Sequence, residues 1–225
     1  MRRWLGMASV LWLISFAGQA AGSEFSAEVV VVNFKEQSQQ TIAKLYMSNN
    51  RQRKEVSLPE KKFPPEYGKN VVQIVNPQRQ TMWQLFPDAK KYWEWNGKIP
   101  SESPPLPGDS RHLCAQNKEI VCNKIGSEDL GGRAVDKWEV TITRDGKAMR
   151  NLVWIDTKLG LPIREETPGM GAMELRNIKE GPQPDSLFEA PADFQKIDPP
   201  QSRGPAGNAP PPPPPPSPQG NVSPK

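Results

Sequence analysis

The chain has 225 residues, 24% of them charged, and a formal net charge of +4. Two of those positive charges, Arg2 and Arg3, sit in an N-terminal segment with no acidic residue before Glu24, so without it the charge falls from +4 to +2. A near-neutral chain has no electrostatic footprint for nucleic acid. The basic clusters Arg51-Gln-Arg53-Lys54 and Lys61-Lys62 read as solvated strand ends, with an anionic lipid surface as the alternative.

Arg2 and Arg3, an apolar run from Trp4 to about Ala17 and the small residues after it make the three-part layout of a secretory signal peptide. The run is shorter than the ~20 residues needed to span a bilayer. Residues 1–22 are therefore expected to be a signal peptide cleaved after Ala20 or Gly22, with a periplasmic mature protein and no lipid-anchoring Cys at the junction. Residues 23–198 are expected to form one domain with a proper core.

Turn signals recur along that domain at intervals typical of all-β proteins. Phe25 to Asn33 is β-branched and reads as a strand. Thr41 to Leu58 reads as two strands joined near Asn49-Asn50, residues that tolerate a left-handed turn. A loop rich in Lys and Pro covers Pro59 to Lys69. Asn70 to Val75, Gln80 to Phe86 and Lys90 to Trp95 read as three more strands, with Asn76-Pro77 and Pro87-Asp88 in the turns. Trp83 and Leu85 share one face of their strand, and Met82 and Phe86 the other, so this block is apolar on both sides.

Ile99 to Asp109 holds four prolines, which removes it from any central strand. Ser110 to Asn117 suggests a short helix. Cys114 and Cys122 are the chain's two cysteines. In an exported protein they are expected to form one disulfide across a short loop. The one histidine, His112, leaves a Cys/His metal site or a Cys nucleophile as weaker alternatives, since a zinc site usually needs a fourth ligand and a nucleophile needs a free thiolate.

Lys124 to Ala134 turns at Gly131-Gly132 and feeds the most constrained stretch of the chain, Asp136 to Asp156. Asp145-Gly146 between two alternating runs signals a two-residue hairpin turn with positive φ at both positions. Arg144 faces Lys147 across the turn, and counting outward pairs Ile142 with Met149, Val140 with Asn151 and Trp138 with Val153, all on one face, apolar except for Asn151 in those three pairs, because opposed residues share a side. The other face takes Lys137, Glu139, Thr141 and Arg150, with Leu152 and Trp154 near one end. Leu161 to Thr167 and Ala172 to Lys179 complete an antiparallel meander. Residues 199–225 differ in kind: they hold 12 of the 26 prolines, seven in a row from Pro210 to Pro216, and are expected to be a disordered polyproline II tail.

Ala43 to Glu55, the Val72 to Trp95 block, and Leu152 to Leu161 followed by Pro162 resemble the LolA-like periplasmic superfamily. The ending Leu175 to Lys196 (LRNIKEGPQPDSLFEAPADFQK) is similar to an uncharacterised branch of it. The resemblance covers most of Phe25 to Ile197 and implies a mainly β fold: a strongly curved, unclosed antiparallel β-barrel with short helical or loop segments on its concave side, and a hydrophobic cavity there. Relatives carry lipoproteins, bind lipids or sense envelope stress. This chain departs from the carriers in lacking an evident long helix before its first strand.

No nucleophile elbow, phosphate-cradling Gly loop, haem-attachment pair or metalloprotease helix occurs, and neighbouring carboxylates such as Glu165 and Glu166 point to opposite faces of a strand. An enzyme is not expected, nor a cofactor or metal. The expected function is a monomeric periplasmic carrier holding an acyl chain, lipid or lipoprotein by burial alone. Trp138, Val140, Ile142, Met149 and Val153 are the first candidates for the cavity lining, with Leu45, Met47, Trp83 and Leu85 next; a closed core is the competing use for the same residues. The alternative function is a structural or stress-signalling module that meets an envelope protein through its surface and proline tail.

Overall fold

A computed structural model of the chain describes residues 23–58, 65–99, 106–109 and 112–198. The expected signal segment and proline tail lie outside the described residues, as do parts of the Lys/Pro loop and of the four-proline loop. The strands are β1 (Phe25–Asn33), β2 (Ser38–Ser48), β3 (Arg51–Ser57), β4 (Asn70–Asn76), β5 (Thr81–Phe86), β6 (Lys91–Asn96), β7 (Ile120–Asp129), β8 (Ala134–Arg144), β9 (Lys147–Asp156), β10 (Leu161–Thr167), β11 (Gly171–Glu180) and β12 (Gln195–Lys196). One helical turn, α1 (Leu113–Gln116), precedes β7.

All twelve strands form one sheet in the order β12-β6-β5-β4-β3-β2-β1-β11-β10-β9-β8-β7. Two meanders, β1 to β6 and β7 to β11, are joined where β11 pairs antiparallel with β1. Among the described residues the sheet does not close, and its one parallel pairing is β12 on β6. The expected mainly β, unclosed antiparallel sheet is therefore what the chain forms.

Turn chemistry sets the register. Asp145 and Gly146 have φ of 52° and 70°, and β8 pairs with β9 as Arg144 to Lys147, Ile142 to Met149, Val140 to Asn151 and Trp138 to Val153, as counted from the sequence. Asn49 and Asn50, at 48° and 66°, make the equivalent turn between β2 and β3. Register shifts interrupt β1 against β11, β1 against β2, β10 against β9 and β8 against β7. Such bulges bend a strand and increase its twist, which suits a strongly curved sheet.

Because opposed residues share a side, the registers sort the sheet into two faces. Ala27, Leu45, Lys54, Gln73, Gln84 and Trp93 stand in one row across six strands and define what is here named the Leu45 face. Val31, Met173, Glu165, Val153 and Trp138 form another row of that face beyond β1. The opposite face carries Tyr46, Arg53, Ile74 and Trp83 on one side of β1 and Glu174, Arg164, Trp154 and Lys137 on the other.

The larger buried cluster gathers Phe25, Ala27 and Val29 of β1, Leu45 and Met47 of β2 and Leu175 of β11 with Leu159, Leu161 and Ile163, and at the β8–β9 end it takes in Val135 and Trp154, which stand on the other side of the hairpin from Trp138 and Val153. A second cluster, Val72, Ile74, Trp83 and Leu85, forms on the opposite face around Phe188.

A candidate apolar-ligand face

The structure brings seven of the nine candidate residues to one face. Leu45 and Met47 lie on the Leu45 face, deep in the main core. Trp138, Val140, Ile142, Met149 and Val153 occupy the same face at the β8–β9 end, where burial is only partial and Met149 is 48% exposed. Trp83 and Leu85 are buried on the opposite face and do not join them.

What covers Trp83 and Leu85 is a strap that gives no periodic signal in the sequence. Residues 182–197 leave β11, make a 3-10 turn at Asp185–Phe188 and run back across β3 to β6. Phe188 is fully buried, with the Arg51 guanidinium 4.7 Å from its ring centroid. Arg51 also pairs with Asp185 at 2.6 Å, Arg79 with Glu189 at 2.7 Å and Lys90 with Asp193 at 2.8 Å. Arg53 donates to the Leu187 carbonyl at 2.9 Å. The strap then becomes β12: the Gln195 amide donates to the carbonyl of Lys90, just before β6, and the Ile197 amide to that of Tyr92 in β6, both at 2.8 Å. The Leu175 to Lys196 ending thus divides between the end of β11 and this strap.

Glu94 ties the strap to the cluster beneath it. Its carboxylate accepts from Asn96 at 2.8 Å, Lys196 at 2.9 Å and the Trp83 indole at 3.0 Å. These donors favour the ionised form, Asn96 most and then Lys196 and Trp83, and pull its pKa down to about 2.

A second device sits at the open end of the Leu45 face. Cys114 of α1 and Cys122 of β7 form a disulfide with Cα atoms 5.7 Å apart. Cys122 stands opposite Val140, so the bond lies on the apolar face and tethers α1 over it. Gly108, just upstream, approaches the Trp138 ring so closely that a Cβ there would meet it at 2.9 Å, and its φ of +99° already favours glycine. His112 Nδ1 lies 2.7 Å from Cys114 Sγ and accepts from the Cys114 amide at 3.1 Å. Burial holds the imidazole below its usual pKa, against an opposing pull from Asp109. The ligand atoms of His112, Cys114 and Cys122 lie within 4.8 Å of one another, but with both sulfurs in the S–S bond the imidazole is the one good donor left.

Beyond the clasp the hairpin divides as its sequence suggests. On the opposite face Trp154 is buried between two cations, Lys137 at 4.7 Å and Arg164 at 5.0 Å from its ring, and its indole donates to Glu128. On the Leu45 face Glu165 stands between Val153 and Met173, where burial raises its pKa. The hollow beside it, against Ile163, Met173 and Leu175, holds about 10 Å³, room for one water at most.

No family model matches the chain, and no curated protein matches it. Solved structures do. A chain of the Pseudomonas aeruginosa MucA/MucB complex is similar at 16% identity and a TM-score of 0.47, over 83% of this chain and 62% of that one. PNGF-II is similar at 10% identity and a TM-score of 0.45, over 79% of this chain and 32% of that one. LprF from Mycobacterium bovis follows at 16% identity and a TM-score of 0.37, over 80% and 92%. The chain thus spans about a third of PNGF-II and less than two thirds of its counterpart in the MucA/MucB complex.

Proposed function

We propose that this chain is an exported, periplasmic binding protein that holds an acyl chain, lipid or lipoprotein against the Leu45 face, with Trp138, Val140, Ile142, Met149 and Val153 as its contact surface. One observation carries this. Cross-strand pairing carries this face from the core at Leu45 and Met47 through Val31, Met173 and Glu165 to the β8–β9 rows, where its apolar side chains are only partly covered. Burial is then the mechanism: each methylene withdrawn from water contributes ~0.8 kcal/mol, so a chain of about a dozen carbons has enough apolar surface to offset the cost of association without any catalytic group. The disulfide-tethered segment around Gly108 and α1 borders this surface and sets how much of it a guest reaches.

Titration with a solvatochromic fatty-acid probe tests the proposal. Wild type is expected to take up the probe with a blue shift in its emission, and Ile142→Lys, on a half-buried position of the surface, to weaken uptake strongly while the thermal transition stays cooperative. Equal uptake by a folded Ile142→Lys variant would remove this surface from the function.

A further inference from the structure

Charged side chains of this protein are commonly paired: Arg164 with Glu166 and Glu174, Lys124 with Asp136, Lys158 with Glu180. Lys54 stands apart. It sits on the Leu45 face of β3, directly between Leu45 of β2 and Gln73 of β4, half-buried, and among the described residues it makes no ion pair or hydrogen bond. Burial holds its ammonium below the usual lysine pKa, the signature of a cation removed from water without compensation. Next in the same row come Gln73 and, opposite that, Gln84, both half-buried. Gln73 donates at 3.3 Å to the Met82 sulfur, a weak acceptor, and Gln84 has no partner among the described residues.

This Lys-Gln-Gln row is bordered by apolar rows of the same face. On one side lie Met47, Gln52, Val75, Met82 and Trp95, with Trp95 46% exposed; on the other lie Val56 and Val71. Neighbouring rows of one face are about 6.8 Å apart along the strands, and neighbouring strands about 4.8 Å apart across them. Lys54 and Gln84 therefore stand about 10 Å apart, within joint reach of one small head group through their flexible side chains, while a chain lying along Val75, Met82 and Trp95 would cover about 10 Å of apolar surface beside it.

We propose that Lys54, flanked by Gln73 and Gln84, is the head-group site for the carboxylate of a single-chain fatty acid, whose chain lies across Val75, Met82 and Trp95. This rests on the reading of the Leu45 face as an acyl-ligand surface and names the ligand class. Charge complementarity selects the occupant. The row offers one cation that has no ion pair among the described residues and two neutral amides, which match one carboxylate. It contains no acid to accept the ammonium of a zwitterionic head group.

Calorimetric titration of the exported wild type and of Lys54→Met with dodecanoic acid and with dodecanol decides it. Wild type is expected to prefer the acid, and Lys54→Met to lose about tenfold or more in affinity for the acid while binding the alcohol unchanged, the size of one charge-assisted hydrogen bond. Lys54→Met should melt at or above the wild-type temperature, since it removes an uncompensated cation; should it fail to fold, Lys54→Arg, which keeps the charge, is expected to retain the preference for acid. Equal binding of acid and alcohol by wild type, or an unchanged acid affinity in Lys54→Met, overturns the head-group assignment and leaves the acyl-ligand surface standing. Lys54-dependent extraction of phosphatidylglycerol from vesicles in preference to the fatty acid overturns the choice of occupant. Binding of neither probe by wild type removes the surface and the head-group site together.

Discussion

Phe188→Ala should unlatch the strap. The ring is fully buried among Val72, Ile74, Trp83 and Leu85 and stacks under the Arg51 guanidinium. Truncating a buried Phe costs about 3 to 5 kcal/mol, and the lost cation–π contact lies within about 0.5 to 1 kcal/mol of that sum. For a domain of this size each kcal/mol moves the melting temperature by about 2 to 4 °C, so a fall of roughly 6 to 20 °C is expected. Urea unfolding followed by tryptophan emission is the assay, because Trp83 lies under the strap and should shift to the red before the main transition. Phe188→Leu, which keeps most of the volume, should cost less than about 1.5 kcal/mol. A Phe188→Ala protein within about 1 kcal/mol of wild type, with Trp83 still shielded, would show that residues 182–197 are not held by this side chain and that the opposite face closes in some other way.

Reducing the Cys114–Cys122 disulfide, or replacing both residues by Ala, should cost about 2 to 3 kcal/mol by the loop-entropy estimate, and should change the emission of Trp138 as the Gly108 segment is released; both are read in urea melts with and without reductant. Glu94 ionises in the folded state at about 2, below its unfolded value near 4.5, so its contribution is fully present above pH 4.5 and lost as pH falls from there towards 2. Acid unfolding of Glu94→Gln should accordingly be less steep than that of wild type across that window. Glu165 has the opposite sign: burial raises its pKa, so ionising it costs stability as pH rises above the unfolded value. Glu165→Gln should therefore be more stable than wild type at neutral pH and indistinguishable from it near pH 4, as measured by thermal melts in the two buffers.

Local rules made much of the fold legible. Asp145-Gly146 and Asn49-Asn50 supply the positive φ that a tight hairpin needs, and with period-two alternation they set register to the residue. Which strand faces merge into one surface was not legible, because parity passes from strand to strand through every bulge and turn between them. Leu45 and Trp83 are both large apolar residues mid-strand, yet the pairings through β3 and β4 put them on opposite sides of the sheet. The sequence Ile120 to Asp129 hides edge strand β7, since Gly126 and the register shift beside it break the alternation. The strap hides for a related reason: Pro182, Pro184 and Pro191 leave no period, and its hold depends on one ring, a few ion pairs and a two-residue strand. Lys54 looked like part of a solvated basic cluster, and only the cross-strand register places it beside Leu45, away from Arg51 and Arg53.

Native mass spectrometry of the protein produced in cells and purified without detergent is the most direct test of whether the Leu45 face accepts a guest. The expected spectrum contains, beside the bare polypeptide, a species heavier by one acyl-bearing molecule that is released on activation. A spectrum of bare polypeptide alone, unchanged after incubation with fatty acid, would contradict it.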